Sequence, residues 1–122
     1  MSMTHELKLY SENFDDLING KKIREYRLYD EKRRLIQNGD TLRFLRLPDK
    51  DSICYAKVKK VEVFPDWEEC YSKYFDLDFK DTYDSVRDVV LDTYQGYYSE
   101  EDSKKYGCCC ITLENIRNNE SN

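Results

Sequence analysis

The sequence predicts an α+β fold: a small, strongly curved mixed sheet closing into a β-barrel, with about three surrounding helices. Three observations carry that prediction. Segments with period-two alternation, such as TLRFLRL (residues 41–47) and ICYAKVKKVEVF (53–64), are interleaved with segments at helical spacing, Phe14/Leu17/Ile18 and Tyr83/Val86/Val90. The longer strand slips phase at Lys59-Lys60 before Val61 and Val63 resume, as a β-bulge does when it curves a sheet. A length of 122 residues suits one domain. Its expected bounds are residues 5–116, with a flexible N-terminus at 1–4 and a disordered tail at 117–122.

HELKLY (5–10) reads as the first strand, with Leu7 and Leu9 on one side. Ser11 is the expected cap of the first helix. Glu12, Asp15 and Asp16 favour the positive end of its dipole, and Gly20 ends it. KKIREYRLY then runs extended. Alternation places Ile23, Glu25, Arg27 and Tyr29 on one face, and Lys22, Arg24, Tyr26 and Leu28 on the other. Asp30–Ile36 is a charged turn or short helix, and Asn38-Gly39-Asp40 turns the chain into a strand whose Leu42 and Phe44 face the core. In the next strand Cys54, Ala56 and Val58 share a side. Asp66 caps a second helix, DWEECYSKY; a third carries Tyr83, Val86, Val89, Val90 and Thr93 and breaks at Gly96. YYSEEDSKKYG is a polar connection, and CCCITLENI closes the domain with Cys109, Ile111 and Leu113 on one face.

The net charge of −5 hides a segregation of signs. Residues 21–60 hold 13 Lys/Arg against 6 Asp/Glu, whereas the remainder holds 7 against 19. An acidic chain can therefore still present a cationic face to an anion. Eleven Tyr, 5 Phe and 1 Trp supply apolar area that a hydrophobic fraction of 39% would otherwise lack. Five cysteines, no apolar opening segment and no long apolar run point to a reducing, cytoplasmic setting without a membrane span. Cys108-Cys109-Cys110 alternate between strand faces and cannot converge on one ion, and His5 is the single histidine. The expectation is no metal and no cofactor. A tyrosine-rich surface suits a monomer and a dimer alike.

Three pieces in order resemble the ASCH domain, a branch of the PUA-like β-barrels. They are GKKIREYR, matching Gly-x-Lys-x-x-Glu-x-Arg at Gly20, Lys22, Glu25 and Arg27; NGDTLRF, with Gly39, Asp40 and Phe44; and the closing YSEEDSKKYGCCCI, with its Tyr106-Gly107 pair. The resemblance spans about His5 to Ile116. It implies binding of RNA or a nucleotide or nucleoside in a cleft beside the Gly-x-Lys-x-x-Glu-x-Arg motif. It also implies an alternative, since some members are small amidohydrolases that remove the acetyl group from N(4)-acetylcytidine, using a Lys, a Thr three residues later and a helical Glu. Here the Lys is Lys22, Glu25 stands at the Thr position, and the helical Glu falls near Ser85. Two of the three positions differ, so catalysis stays open. A protein-interaction module is the third possibility.

The expected ligand-binding set is Lys21, Lys22, Arg24, Glu25, Arg27, Tyr26 and Tyr29. Cations beside Glu25 should keep its carboxylate ionised and able to accept from a base amino group, while Lys and Arg hold phosphate. Tyr26, Tyr29 or a tyrosine of the 94–98 cluster would stack on a base. If the protein is an enzyme, Lys22 is the base for water and Glu25 shuttles the proton. An Arg-Glu pair on a half-buried strand could instead serve only to set register.

Overall fold

The computed structural model describes residues 2–118. Among these lie five strands and six helices. In chain order they are β1 (Thr4–Tyr10), α1 (Ser11–Ile18), β2 (Arg24–Leu28), α2 (Glu31–Arg34), β3 (Thr41–Leu47), β4 (Ile53–Phe64), α3 (Trp67–Lys73), α4 (Phe75–Asp78), α5 (Val86–Gly96), α6 (Glu100–Tyr106) and β5 (Cys108–Asn118). The strands form one mixed sheet in the order β1-β3-β4-β5-β2, with β1 and β2 as its terminal strands. The α+β expectation holds, with twice the helices foreseen. Thr4 falls within β1 and residues 117–118 within β5; the predicted disorder of 119–122 falls outside the described residues. The chain divides into two compact units, each drawing on several segments.

The first unit is Met1–Glu25, Ile36–Val61 and Ile111–Asn122. β1 runs parallel to β3 (Leu7 opposite Phe44), and β3 runs antiparallel to β4 (Phe44 opposite Cys54). Alternation does what it predicts: Leu7, Leu9, Leu42, Phe44, Cys54, Ala56 and Val58 are all buried. Phe14 and Leu17 of α1 are buried as well. Ser11 is not the cap but the first helical residue, and Tyr10, at the cap position, makes no side-chain capping bond. The predicted phase slip in β4 does not appear in its burial: Val63, expected to resume the inner face, is 52% exposed, whereas Glu62 and Phe64 continue the face of Cys54, Ala56 and Val58. The irregularity lies in the facing segment, where Val58 N–H donates to the Asp40 carbonyl and Gly39 N–H donates to the Val58 carbonyl, both at 2.8 Å, so that two residues stand against one.

A buried hydrogen-bonded carboxylate braces this unit. Asp40 accepts from His5 Nε2 (2.8 Å), from Met3 N–H (3.0 Å) and from Gln37 N–H (3.0 Å). Burial alone would raise the Asp40 pKa; the bonds from His5, Met3 and Gln37 outweigh it and leave the carboxyl below its ordinary value.

The second unit is Tyr26–Leu35 and Glu62–Cys110. Its core is aromatic. Trp67 stacks on Tyr71 (centroids 5.2 Å apart) and on Tyr98 (5.7 Å), and its indole N–H donates to Ser103 Oγ at 2.9 Å. Cys70 and Cys108 lie in the same cluster, and Cys108, Cys109 and Cys110 are all buried. Burial pushes the Cys109 thiol up to about 12, the range of an inert structural cysteine. Asp66 and Ser85 cap α3 and α5 through Glu69 N–H and Asp88 N–H. The predicted polar connection contains α6, capped by Ser99, which accepts from Asp102 N–H at 3.0 Å. α6 buries only Ser103, so it carries no apolar period to reveal it.

Candidate functional site

The predicted site begins where α1 ends. Gly20 takes φ +79°, a left-handed conformation that an L side chain resists. That turn brings Lys21 N–H (2.9 Å) and Lys22 N–H (3.2 Å) back onto the Asp16 carbonyl. Ile23 then leaves the helix, and its carbonyl accepts from Leu113 N–H at 2.8 Å, so the start of β2 is registered on β5.

From this turn the Lys22 side chain folds forward. Its Nζ donates to the Arg24 carbonyl at 2.8 Å and lies 3.1 Å from Glu25 Oε1. Glu25 is only 4% exposed, the least accessible charge of the predicted set. A carboxylate so buried needs a counter-charge, and Lys22 supplies it. Lys21 is exposed, and Arg24 is half-buried. Two predicted residues are thus joined directly.

Strict alternation fails along this segment. Ile23, expected inside, is 39% exposed, while Glu25 is buried and Tyr26 and Arg27 are both half-buried. Ile23 precedes the strand, so it never joins the pleat.

The remaining predicted residues belong to the second unit. Tyr26 sits in the aromatic core, its ring 5.3 Å from Tyr71 and 5.0 Å from Phe79, with its hydroxyl bonded to Asp78. Burial first, then the neighbouring Cys110 and Asp78, push its pKa far above the ordinary tyrosine value. Its hydroxyl is a fixed donor. Tyr29 donates its N–H to the Gly107 carbonyl at 3.0 Å and lies beneath the Arg34 guanidinium, 4.5 Å from ring centroid to Cζ. Arg34 also reaches the Tyr106 carbonyl (3.2 Å), and Arg33 pairs with Asp30 at 2.8 Å. Sequence reasoning missed these partners of Tyr26 and Tyr29 because Asp78, Phe79 and Gly107 are far away in the chain.

Ser85, where the resemblance places a helical Glu, is the cap preceding α5 and not a residue on its face. The Tyr94–Tyr98 cluster divides: Tyr98 is bound to Trp67, Tyr94 is half-buried, and Tyr97 is 60% exposed. A shallow depression of about 530 Å³ lies along α3, lined by Phe64, Glu68, Glu69, Ser72 and Lys73, and touches none of the predicted site residues. No helix among the described residues is long and apolar enough to cross a membrane.

Comparison with known proteins agrees with this architecture. The chain is 34% identical to hypothetical protein PH0355, whose crystal structure superposes with a TM-score of 0.77 over 92% of this chain and 98% of that one. It is 30% identical to protein PF0455 from Pyrococcus furiosus, known from a solution NMR structure (TM-score 0.67; 98% of this chain, 100% of that one). A mutant of ZmASCH from Zymomonas mobilis shares the fold at 15% identity (TM-score 0.67; 94% of this chain, 70% of that one). None of the curated proteins matches the chain. The ASCH domain model matches residues 7–117, both units included. The chain therefore belongs to the ASCH domain family, a PUA-like family associated with RNA binding.

Proposed function

We propose that this protein binds RNA or a nucleotide through the turn between α1 and β2, with Lys22 and Glu25 at its centre. The observation that carries the reading is the Lys22–Glu25 pair: a carboxylate 4% exposed and an ammonium 3.1 Å away, set beside exposed Lys21 and half-buried Arg24. Burying a charge is costly, and a fold seldom keeps one without a use. Lys21 and Arg24 supply the cationic rim for phosphate, and Glu25 the acceptor for a base amino group. Arg27 and Tyr29 are carried in this reading as ligand contacts. The Tyr26 ring is already packed on Tyr71 and Phe79.

The test is fluorescence anisotropy with short single-stranded RNA. Three phosphates neutralised on a single strand predict a log–log salt slope of about −2. Lys21→Ala, at an exposed position, should reduce that slope by about 0.7 without loss of fold. Salt-independent affinity, or no binding, overturns the reading. The same pair favours a second one, since 3.1 Å is within proton-transfer reach and suits hydrolysis of an acylated nucleoside. Turnover of N(4)-acetylcytidine that exceeds a Lys22→Ala control would establish it.

A further inference from the structure

β1 is a terminal strand, and among the described residues β3 is its only strand neighbour. The parallel ladder fixes which of its backbone groups are used. Thr41 N–H donates to the Met3 carbonyl at 2.8 Å, with Thr41 opposite Thr4. In that phase Met3, His5, Leu7 and Leu9 direct their amides and carbonyls at β3. Thr4, Glu6, Lys8 and Tyr10 direct theirs to the outer edge. The same four residues have exposed side chains, while His5, Leu7 and Leu9 are buried. The result is a seven-residue edge, regular along its length, with a glutamate and a lysine flanking its midpoint. Such an edge is a template for another strand.

We propose that β1 pairs antiparallel with β1 of a second copy of this chain, about a two-fold axis at Leu7. The register follows from charge. Hydrogen bonding requires the outward residues of one copy to lie opposite the outward residues of the other. Centring on Glu6 would set two glutamates against each other, and centring on Lys8 would set two lysines together. Centring on Leu7 places Glu6 of each copy opposite Lys8 of the other, and Thr4 opposite Tyr10, with all four outward residues engaged. Opposite residues of an antiparallel pair share a face, so both ion pairs form on the exposed side. Glu6 already bonds Arg43 on the neighbouring strand, and the incoming lysine extends that row. The interface is isologous, as two-fold association demands.

Sedimentation of the full chain at low salt, from about 10 μM to about 1 mM, should show a concentration-dependent dimer. Lys8→Pro removes an outward N–H while sparing the bonds to β3, so it should give a monomer with unchanged circular dichroism. If that variant fails to fold, charge exchange decides. Glu6→Lys and Lys8→Glu should each weaken self-association by about tenfold, and an equimolar mixture of the two should restore it, because lysines then face glutamates at both positions. A monomer throughout the range overturns the proposal. So does a dimer that the single variants leave unmoved, or a mixture no stronger than its components.

Discussion

The two units partner their buried polar side chains by different means. The first sets carboxylates against nitrogen groups: Glu25 against Lys22, and Asp40 against His5. The second uses neutral donors set among rings: Trp67 to Ser103, and Tyr71 to Thr93 at 2.7 Å. Because Thr93 Oγ1 donates to the Val89 carbonyl, the Tyr71 hydroxyl is the donor in that second bond. The boundary falls between consecutive residues, Glu25 and Tyr26. Overall charge follows the opposite trend from burial. The first unit has 11 Lys/Arg and 10 Asp/Glu, and the second 9 and 15. Charge content alone does not locate a charged interior. What matters is whether a partner of opposite sign comes within reach once the side chain leaves water.

That contrast can be broken at several places. Trp67→Ala should have the largest effect, about 3–5 kcal/mol by urea denaturation, because it removes the middle ring of a stack and the indole donor to Ser103. An effect below about 1 kcal/mol would mean that the aromatic core does not hold the second unit together. Lys22→Met should follow at about 2–3 kcal/mol, since it removes the ammonium beside the buried Glu25 carboxylate; the 21% exposure of the Lys22 side chain trims the effect. Adding Glu25→Gln should recover part of that loss. If the double variant is no better than the single, the ion pair is not the cause.

Gly107→Ala tests backbone and not side-chain satisfaction. At φ +72° an added Cβ would come within 2.9 Å of the Phe64 carbonyl oxygen, so a loss of about 1–3 kcal/mol is expected in thermal melts. Tyr71→Phe deletes one neutral hydrogen bond and should cost only about 1 kcal/mol, less than Lys22→Met. A reversal of those two would dissolve the distinction between the units.

The smallest signal lies in pH. Asp40 has a lowered pKa in the folded state, so its contribution is complete above its unfolded value, about 3.9, and is lost as pH falls toward the folded value. The stability difference between the native protein and Asp40→Asn should stay level above about pH 5 and shrink below about pH 4. A difference that instead grew in acid would contradict the hydrogen bonds from His5, Met3 and Gln37.

Much of the fold was legible because it rests on local periodicity. β1, β3 and the first half of β4 announce themselves by alternation and α5 by its valines; the slip read at Lys59-Lys60 misled, because Val63 is exposed. α6 was not legible, because a helix that buries one serine has no apolar stripe. α4 spans a single turn, too short for a period to show. The site was half legible. GKKIRE implies a helix stop and an adjacent Lys and Glu, and both follow from neighbours in the chain. The fate of Tyr26 and Tyr29 depended on Asp78, Phe79, Arg34 and Gly107, and no spacing rule connects residue 26 to residue 78.

The sequence by itself determined the order of the strands, the faces of β1, β3 and the first half of β4, and the glycine turn that presents Lys22. These depend on steric limits at single residues and on which side chains avoid water. Only the tertiary structure decided that Glu25 is buried while Ile23 is exposed, that Tyr26 joins an aromatic core, and that β1 is left at the edge of the sheet. Each of those outcomes depends on which distant segment packs alongside, a competition among long-range contacts that local pattern does not encode.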